Sequence, residues 1–357
     1  DESHKIKNGS AKRSKAAKQI ARRMDDDALK MLLSGTAVVN RPKELINQLK
    51  VIDVFEREFG GFYPYTKRFC DGHKGRWGWD ASGASNLDEL HSRLRRTCYI
   101  RRDKEDVLEE LPEKTRSYVE FDIDNRKEYD VAEEDIVAYM KAEAGRDQDL
   151  LDDNEDVDKK LREIEQQHGG ANNDMAENLV KIMKLKQLAA KGKFGPAKKW
   201  IRDFLKNESP LVVFAWHTDV VEGIADEFDA PFITGDTANK RRHEIVEEFQ
   251  NGEHDLLALN MHAAGEGITL TEASNAVFLE LPWTWGTVSQ CEARVHRIGT
   301  EEAVNIYFHL GKDTIDKDIF DLLKKKRVVT EKVNRGKDIT DEDDNIVQGV
   351  IRKLKQK

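Results

Sequence analysis

The chain has 357 residues, room for two to three domains, and its 38% hydrophobic and 36% charged content can bury real cores beneath a heavily charged surface. Seven prolines and 23 glycines exclude a collagenous or proline-rich chain, and no apolar run is long enough to cross a bilayer. The net charge of −9 is local, because 12 acidic and two basic residues stand between Asp130 and Asp158 and leave the remainder slightly basic. A polyanionic partner is therefore not excluded.

No signal peptide opens the chain, and Cys70, Cys98 and Cys291 are too few and too scattered for a disulfide framework. An intracellular protein with no membrane partner is expected: cytoplasmic if prokaryotic or viral, nuclear if eukaryotic. The chain begins at Asp1 without a methionine, as expected after processing or truncation.

Eight lysines and arginines fall in the first 23 residues, six of them on a helix predicted from about Ser10 to Arg23. A strand-like run follows at Lys30 to Leu33, then a mostly helical stretch from Lys43 to Phe59. A glycine and aromatic segment, Phe62 to Asp80, precedes a helix from about Asn86 to Cys98, and Pro112 closes this part. One strand makes no sheet, so residues 1–118 read as the trailing portion of a domain whose opening strands are absent. From Asn125 to Ala190 the chain is helical and strongly charged, with an interruption at Gly169-Gly170. Lys191 to Pro196 reads as a turn before a helix at Ala197.

Short apolar runs then recur at Leu211 to Trp216, Pro231 to Thr234, Asp255 to Leu259, Ala276 to Glu280 and Val304 to His309. Between them lie helical patterns at Val220 to Phe228, Asn239 to Gln250 and Thr287 to Val295. Continuously apolar strands alternating with helices predict a parallel sheet covered on both faces. Ligands bind beyond the carboxyl ends of such strands. After Lys326 the tail is charged and weakly helical, from Ile346 to Leu354.

The chemistry-bearing strings come in a fixed order. The chain opens DESH, an acidic pair suited to holding Mg²⁺ and orienting an attacking water. LLSGTAVVNRP (Leu32 to Pro42) places small hydroxyl residues just past a strand-like run. LRRTCYIRRDKEDVLEELPEK, LVVFAWH, ITGDT and LNMHAAGEGITLTEASNAVFLELPW follow. Last is QCEARVHRIGT (Gln290 to Thr300), where Arg294 and Arg297 are three apart, neighbours on one helical face. Two guanidinium groups aimed together suit a transferring phosphoryl group.

This ordered set closely resembles the Swi/Snf-type helicase-like ATPases of helicase superfamily 2. Arg68 to Arg102 is similar to the signature of the annealing-helicase branch. The resemblance covers roughly residues 1 to 326. It implies an α/β fold in which a complete RecA-like doubly wound parallel sheet, the second lobe, follows an incomplete, mostly helical remainder of the first RecA-like lobe. The implied divisions are 1–118 for the first lobe with a helical insertion, 119–326 for the second lobe with an acidic helical segment at 128–190, and 327–357 for a charged tail.

The resemblance also implies ATP with Mg²⁺ in the cleft between lobes, and duplex or branched DNA bound across both without regard to sequence. Asp1 would serve Mg²⁺ and Glu2 would be the catalytic base. Ser34 and Thr36 would couple the sites. Gly265, Glu266, Gly267 and Thr269 would form a loop sensing nucleotide and touching DNA. Gln290, Arg294 and Arg297 would complete the ATP site, and Gly235, Asp236, Thr237 and Arg242 would approach a phosphate strand. Departures from the family pattern are Thr300 for a usual Gln, Ala293 for a frequent Asp, and Trp285 for a common Pro.

The G-x-x-x-x-G-K-[ST] phosphate loop is nowhere in the sequence. The chain alone is therefore expected not to hydrolyse ATP appreciably and to need an N-terminal fragment that carries this loop. Two other readings fit the residues: a catalytically inactive DNA-binding or regulatory fragment, and an RNA helicase of the same superfamily.

The remaining candidates read more plainly. Cys70, His73, His91 and Cys98 match no standard zinc-finger spacing and read as a structural thiol with surface histidines. Trp77, Trp79, Trp283 and Trp285 read as packing or lobe-contact anchors before base-stacking platforms. His217 and His296 read as polar cleft residues, and the Asp130 to Asp158 run as a solvated face.

Overall fold

The computed structural model describes residues 1–25, 28–75, 78–108, 110–134, 173–208, 210–265 and 267–338. Its front part is helical. Helix α1 (Lys12–Arg23) is followed by α2 (Leu45–Val51), α3 (Phe55–Phe59) and α4 (Phe62–Phe69). A short antiparallel pair, β1 (His73–Gly75) and β2 (Gly78–Asp80), leads to α5 (Leu87–Thr97) and α6 (Lys104–Val107). Phe55, Phe59, Tyr65 and Phe69 form the aromatic centre of this part's core, and Tyr65 satisfies its buried hydroxyl by donating to the Pro42 carbonyl at 2.8 Å.

The run expected as a strand at Lys30 to Leu33 is extended but belongs to no sheet. Its period is that of a strand: Leu32 packs inward near Ile6, Ala21 and Val51, while Leu29, Met31 and Leu33 are 80%, 68% and 54% exposed. The Leu33 carbonyl accepts from the Ser3 amide at 2.8 Å, a single bond where a ladder would need several. Pairing partners decide whether an extended run becomes a strand, and the described residues supply none.

The back part contains β3 (Lys114–Phe121), α7 (Arg126–Glu134), α8 (Asn173–Phe204), β4 (Leu211–Ala215), α9 (Thr218–Phe228), β5 (Phe232–Ile233) and α10 (Asn239–Gln250). It continues with β6 (Leu256–Asn260), β7 (Asn275–Phe278), α11 (Trp285–Val295), β8 (Val304–Gly311) and α12 (Ile315–Arg335). Six strands form one sheet in the order β3-β8-β7-β4-β6-β5, and every pairing is parallel.

Both faces of the sheet are covered, which is why its central strands are apolar at every position. Val212 and Phe214 of β4 join a core with α10, α11 and α12, whereas Leu211, Val213 and Ala215 join one with α8 and α9. This is the doubly wound RecA-like lobe expected from the apolar runs. Strand β3 is polar in its first half and pairs with β8 along all eight positions, so it straddles the division placed after residue 118. Helix α12 likewise runs through Lys326 to Arg335.

Lys191 to Pro196 is not a turn but lies inside α8. Proline lacks the amide that would bond the carbonyl four residues back, and that carbonyl, of Gly192, instead accepts from the Asp124 amide at 2.8 Å. The glycines allow the approach. A Cβ on Gly192 would lie 1.8 Å from Asn125 Oδ1, and one on Gly195 would lie 2.5 Å from Asp124 Oδ2. The rest of the acidic run beyond Glu134, the Gly169-Gly170 pair and the Ile346 to Leu354 segment lie outside the described residues.

The two parts meet along α11 and α12. A Cβ on Gly286 would fall 2.1 Å from Val39 Cγ1, so only glycine lets α11 seat against the front part there. Asn334 of α12 bonds both backbone groups of Val38, accepting from its amide at 3.1 Å and donating to its carbonyl at 2.9 Å. Val333 is buried in the front core, and its carbonyl lies 2.9 Å from His91 Nδ1.

Candidate functional site

A groove of about 530 Å³ lies between the two parts. Glu2, Ser34 and Thr36 line it from the front, and Gln290, Arg294 and Arg297 from the back. The two sets are more than 250 positions apart in sequence, and the α11 and α12 contacts bring them together.

The front wall is held by local bonds. Buried Ser3 donates from Oγ to Gln48 Oε1 at 2.9 Å and anchors the opening segment. Ser34 Oγ accepts from the Thr36 amide at 3.2 Å. His4 Nδ1 lies 3.1 Å from Ser34 Oγ and 3.1 Å from Glu2 Oε2. Across the groove, His4 Nε2 is 3.4 Å from Gln290 Nε2. Burial is the main cause that lowers the His4 pKa, with Glu2 opposing it, so the ring is neutral near pH 7. An amide nitrogen can only donate, so His4 Nε2 accepts and the ring proton sits on Nδ1, facing Ser34 and Glu2.

The back wall depends on α11. Thr284 caps the helix by accepting from the Thr287 amide at 3.3 Å. Gln290 and Arg294, four apart, present one face to the groove. Glu292, 1% exposed, receives Lys114 at 2.8 Å and a paired guanidinium from Arg116 at 2.6 and 2.7 Å. Burial would raise its carboxyl pKa, but Arg116 and Lys114 override that and hold it far below the usual range. Arg116 also lies over the buried Trp285 ring, with Arg327 at the same 5.2 Å from it.

Arg294 and Arg297 do not share a helix as their spacing suggested. Helix α11 ends at Val295, and Arg297 lies beyond the terminal residue His296. The two still converge, both donating to the Ile268 carbonyl, at 3.5 and 3.3 Å. Burial, then the Arg297 charge, lowers the Arg294 pKa, while Glu2 raises it from across the groove. Thr300, standing where the family has Gln, is buried and ties the turn by accepting from the Arg297 amide at 3.2 Å and donating to the Val295 carbonyl at 2.7 Å. His296 donates from Nε2 to the Pro112 carbonyl at 2.8 Å.

The other expected residues sit elsewhere. Asp1 is exposed and accepts from the Glu2 amide at 2.8 Å, and it is not among the groove's lining residues. Gly265 ends a short helical turn at Ala263–Gly265, Gly267 takes a left-handed φ of 62° with open space around it, and Thr269 is half-buried. Glu266 lies outside the described residues. This loop does not line the groove and is tied to its arginines through the Ile268 carbonyl.

Gly235, Asp236 and Thr237 form a turn beyond the outermost strand, β5, closed by the Thr234 amide donating to Thr237 Oγ1 at 2.9 Å. Arg242 is buried and donates to the Thr234 carbonyl at 3.4 Å, so it supports that turn from beneath and none of the four lines the groove. His217 is not a groove residue either. Its Nδ1 pairs at 2.6 Å with Glu280, whose carboxyl is pushed down to about 2: burial opposes that shift and the His217 bond and charge outweigh it.

Among the lining residues that sequence reasoning missed are Arg101, Lys104 and Arg335. Arg101 donates to the Gly35 carbonyl at 3.0 Å and to Asp103 at 2.5 Å, and Arg335 of α12 reaches the same carboxylate at 3.3 Å. Lys104 donates to the His296 carbonyl at 2.6 Å. The arginine-rich string at Arg95 to Arg102 was the available signal for the first. Among the described residues, no group of three or more His, Cys, Asp or Glu is arranged to hold a metal, and Cys70 is fully buried with its thiol pushed up to about 12 by burial.

The parallel sheet covered by helices on both faces is a RecA-like lobe, and Arg294 near the end of α11 and Arg297 in the turn after it line the groove opposite Glu2. Residues 1–189 match the family described as SNF2-related domain, and residues 197–299 match the helicase conserved C-terminal domain. The chain belongs to the Swi/Snf-related group of helicase superfamily 2. It is 32% identical over 93% of its length to the SWI/SNF-related matrix-associated actin-dependent regulator of chromatin subfamily A-like protein 1 of Drosophila melanogaster, of which it covers 40%. It is 33% identical over 92% of its length to the DNA annealing helicase and endonuclease ZRANB3 of Mus musculus, covering 29% of that protein. The chain thus spans less than half the length of these relatives. Among solved structures, the C-terminal part of the Fun30 ATPase domain aligns with a TM-score of 0.41 and 17% identity, over 63% of this chain and 97% of that one. Among the described residues, no helix is long and apolar enough to cross a membrane.

Proposed function

We propose that the chain is the C-terminal portion of an ATP-dependent DNA translocase, a helicase-like remodeller that couples ATP hydrolysis to movement on duplex or branched DNA. The observation that carries this reading is the groove in which Glu2 faces Arg294 and Arg297 from the opposite part of the chain. Its roles follow from chemistry. Glu2 accepts a proton from the attacking water. Arg294 and Arg297 neutralise charge developing on the transferred phosphoryl oxygens. Gln290 and His4 report closure between the walls, because their bond exists only when the lobes are apposed. The Asp1 carboxylate is a hard oxygen donor of the kind Mg²⁺ takes together with phosphates and water.

The phosphate loop is supplied from outside these 357 residues. The exposed row of Leu29, Met31 and Leu33 supports this, since it is the unpaired, apolar edge a neighbouring strand and its covering helix would bury. Relatives named as annealing helicases support duplex or branched DNA as the substrate. In a eukaryote the site of action is the nucleus.

The test joins the chain to a polypeptide carrying the phosphate loop and measures ATP hydrolysis with and without DNA. Stimulation by DNA that disappears in Glu2→Gln and Arg297→Ala supports the enzyme. Binding of DNA without hydrolysis in the completed protein makes it a DNA-binding or regulatory module, and stimulation by RNA alone makes it an RNA helicase.

A further inference from the structure

A second concavity, of about 470 Å³, shares no lining residue with the groove. Five cations surround it: Lys7 from the opening segment, Lys18 from α1, Arg41 and Lys43 from the loop before α2, and Lys50 from α2. One carboxylate, Glu44, stands among them and is already committed. Its Oε2 accepts from the amides of Val39 and Asn40, both at 3.0 Å, and its Oε1 pairs with Lys7 at 3.2 Å. Lys50 reaches Glu56 only at 4.0 Å. Lys18, Arg41 and Lys43 have no ion-pair partner among the described residues.

Folding has gathered like charges here at a cost. Burial, then Lys50 and Arg22, pulls the Lys18 ammonium below lysine's ordinary value. Lys326 of α12, half-buried nearby, is lowered by burial and then by Arg41. Ile46, Asn47 and Phe62 also line the recess; Lys7, Lys18 and Lys50 are half-buried around it, and Arg41 and Lys43 stand exposed at its rim. Gly9 lines the recess between Lys18 and Asn47, where a Cβ would meet Lys18 Nζ and Asn47 Oδ1 in ordinary contact, each at 3.5 Å.

We infer that this recess is a phosphate-binding site, separate from the nucleotide groove, taking a phosphodiester of a nucleic-acid strand or the equivalent group of a free polyphosphate. A tetrahedral phosphate, singly charged in a diester and more highly charged in a free polyphosphate, offers acceptor oxygens in several directions and so can relieve repulsion among several cations at once, which a planar carboxylate does less well. The site does not depend on the groove's being catalytic.

The experiment compares the chain with Lys18→Gln/Lys43→Gln and with Gly9→Asp, which adds a carboxylate beside Lys18 while leaving every lysine in place. Lys198→Gln, on the far face of the sheet, is the control. Circular dichroism melting confirms that each variant folds. A fluorescent 20-base-pair duplex, titrated across a salt series, reports strand phosphate, and calorimetry with inorganic pyrophosphate reports free phosphate. Binding to strand phosphate predicts about tenfold weaker duplex affinity for both variants, with the salt slope of the double variant reduced by about one to two. Loss of pyrophosphate binding with unchanged duplex affinity assigns the recess to free polyphosphate. Wild-type duplex affinity, slope and pyrophosphate binding in both variants overturn the site. Failure of ATP hydrolysis in the completed protein would leave these readings unchanged, so the two proposals fail separately.

Discussion

The guanidinium groups of Arg294 and Arg297 donate to the same carbonyl oxygen, that of Ile268. One arginine ends a helix and the other sits past it, so a backbone acceptor in the preceding loop, and not helical periodicity, brings them together. The loop and the arginines are therefore joined in one hydrogen-bonded unit.

A unit of this kind predicts non-additive losses. In the completed protein, Arg294→Ala and Arg297→Ala should each lower ATP turnover by about 100-fold or more, and the double variant should lose far less than the product. Steady-state hydrolysis at saturating ATP measures this. Turnover within a few-fold of wild type in Arg297→Ala would remove the arginine from the reaction.

Glu292 anchors the helix that presents them. Glu292→Gln leaves Lys114 and Arg116 facing an amide in a buried site, and about 3 kcal/mol of stability should be lost. The midpoint of urea unfolding reports it. A change below about 1 kcal/mol would mean that the pair is solvated in solution and that α11 is held by Trp285 and its neighbours.

Acid should weaken the fold from the histidine range downward. His309 is completely buried, and burial, then Lys193, holds its pKa well below the ordinary value; His4 and His296 are lowered as well, mainly by burial. A depressed folded pKa means that the unfolded chain takes up the proton first. Stability is therefore full above the unfolded histidine value of about 6.5 and is lost as pH falls below it. The melting temperature should drop between pH 7 and 5.5, and His309→Phe, filling the space beside Phe121 and Trp200, should flatten part of that slope. An unchanged slope in this variant would show that His309 takes its proton in the folded state.

Asn334 bridges the front and back parts by bonding both backbone groups of Val38. Asn334→Ala leaves a buried amide and carbonyl unpaired, at a cost of about 1–3 kcal/mol. Hydrogen exchange at the Val38 amide should accelerate well beyond that of the β4 amides. Equal protection in the variant would mean that water replaces the side chain.

The doubly wound sheet was legible because strands buried on both faces must be apolar throughout, and Leu211 to Ala215 or Leu256 to Asn260 have no other reading. The helix over Asn239–Gln250 was read to the residue. Strand β3 was missed as a sheet member because an edge strand is half-solvated, and Lys114, Arg116 and Glu120 carry no core signal. The turn expected at Lys191 to Pro196 failed because glycine and proline usually break helices, whereas here the Asp124 amide accepts the role that Pro196 cannot fill.

Order and type of the motif strings determined the family and the residue classes that line the groove, since charge and hydroxyl chemistry are written in the side chains themselves. Tertiary structure alone decided that His4 meets Gln290, that Arg335 shares Asp103 with Arg101, and that five separated cations edge one recess. Those contacts join segments whose separation along the chain carries no trace of their distance in space, because packing of α11 and α12 against the front part sets it.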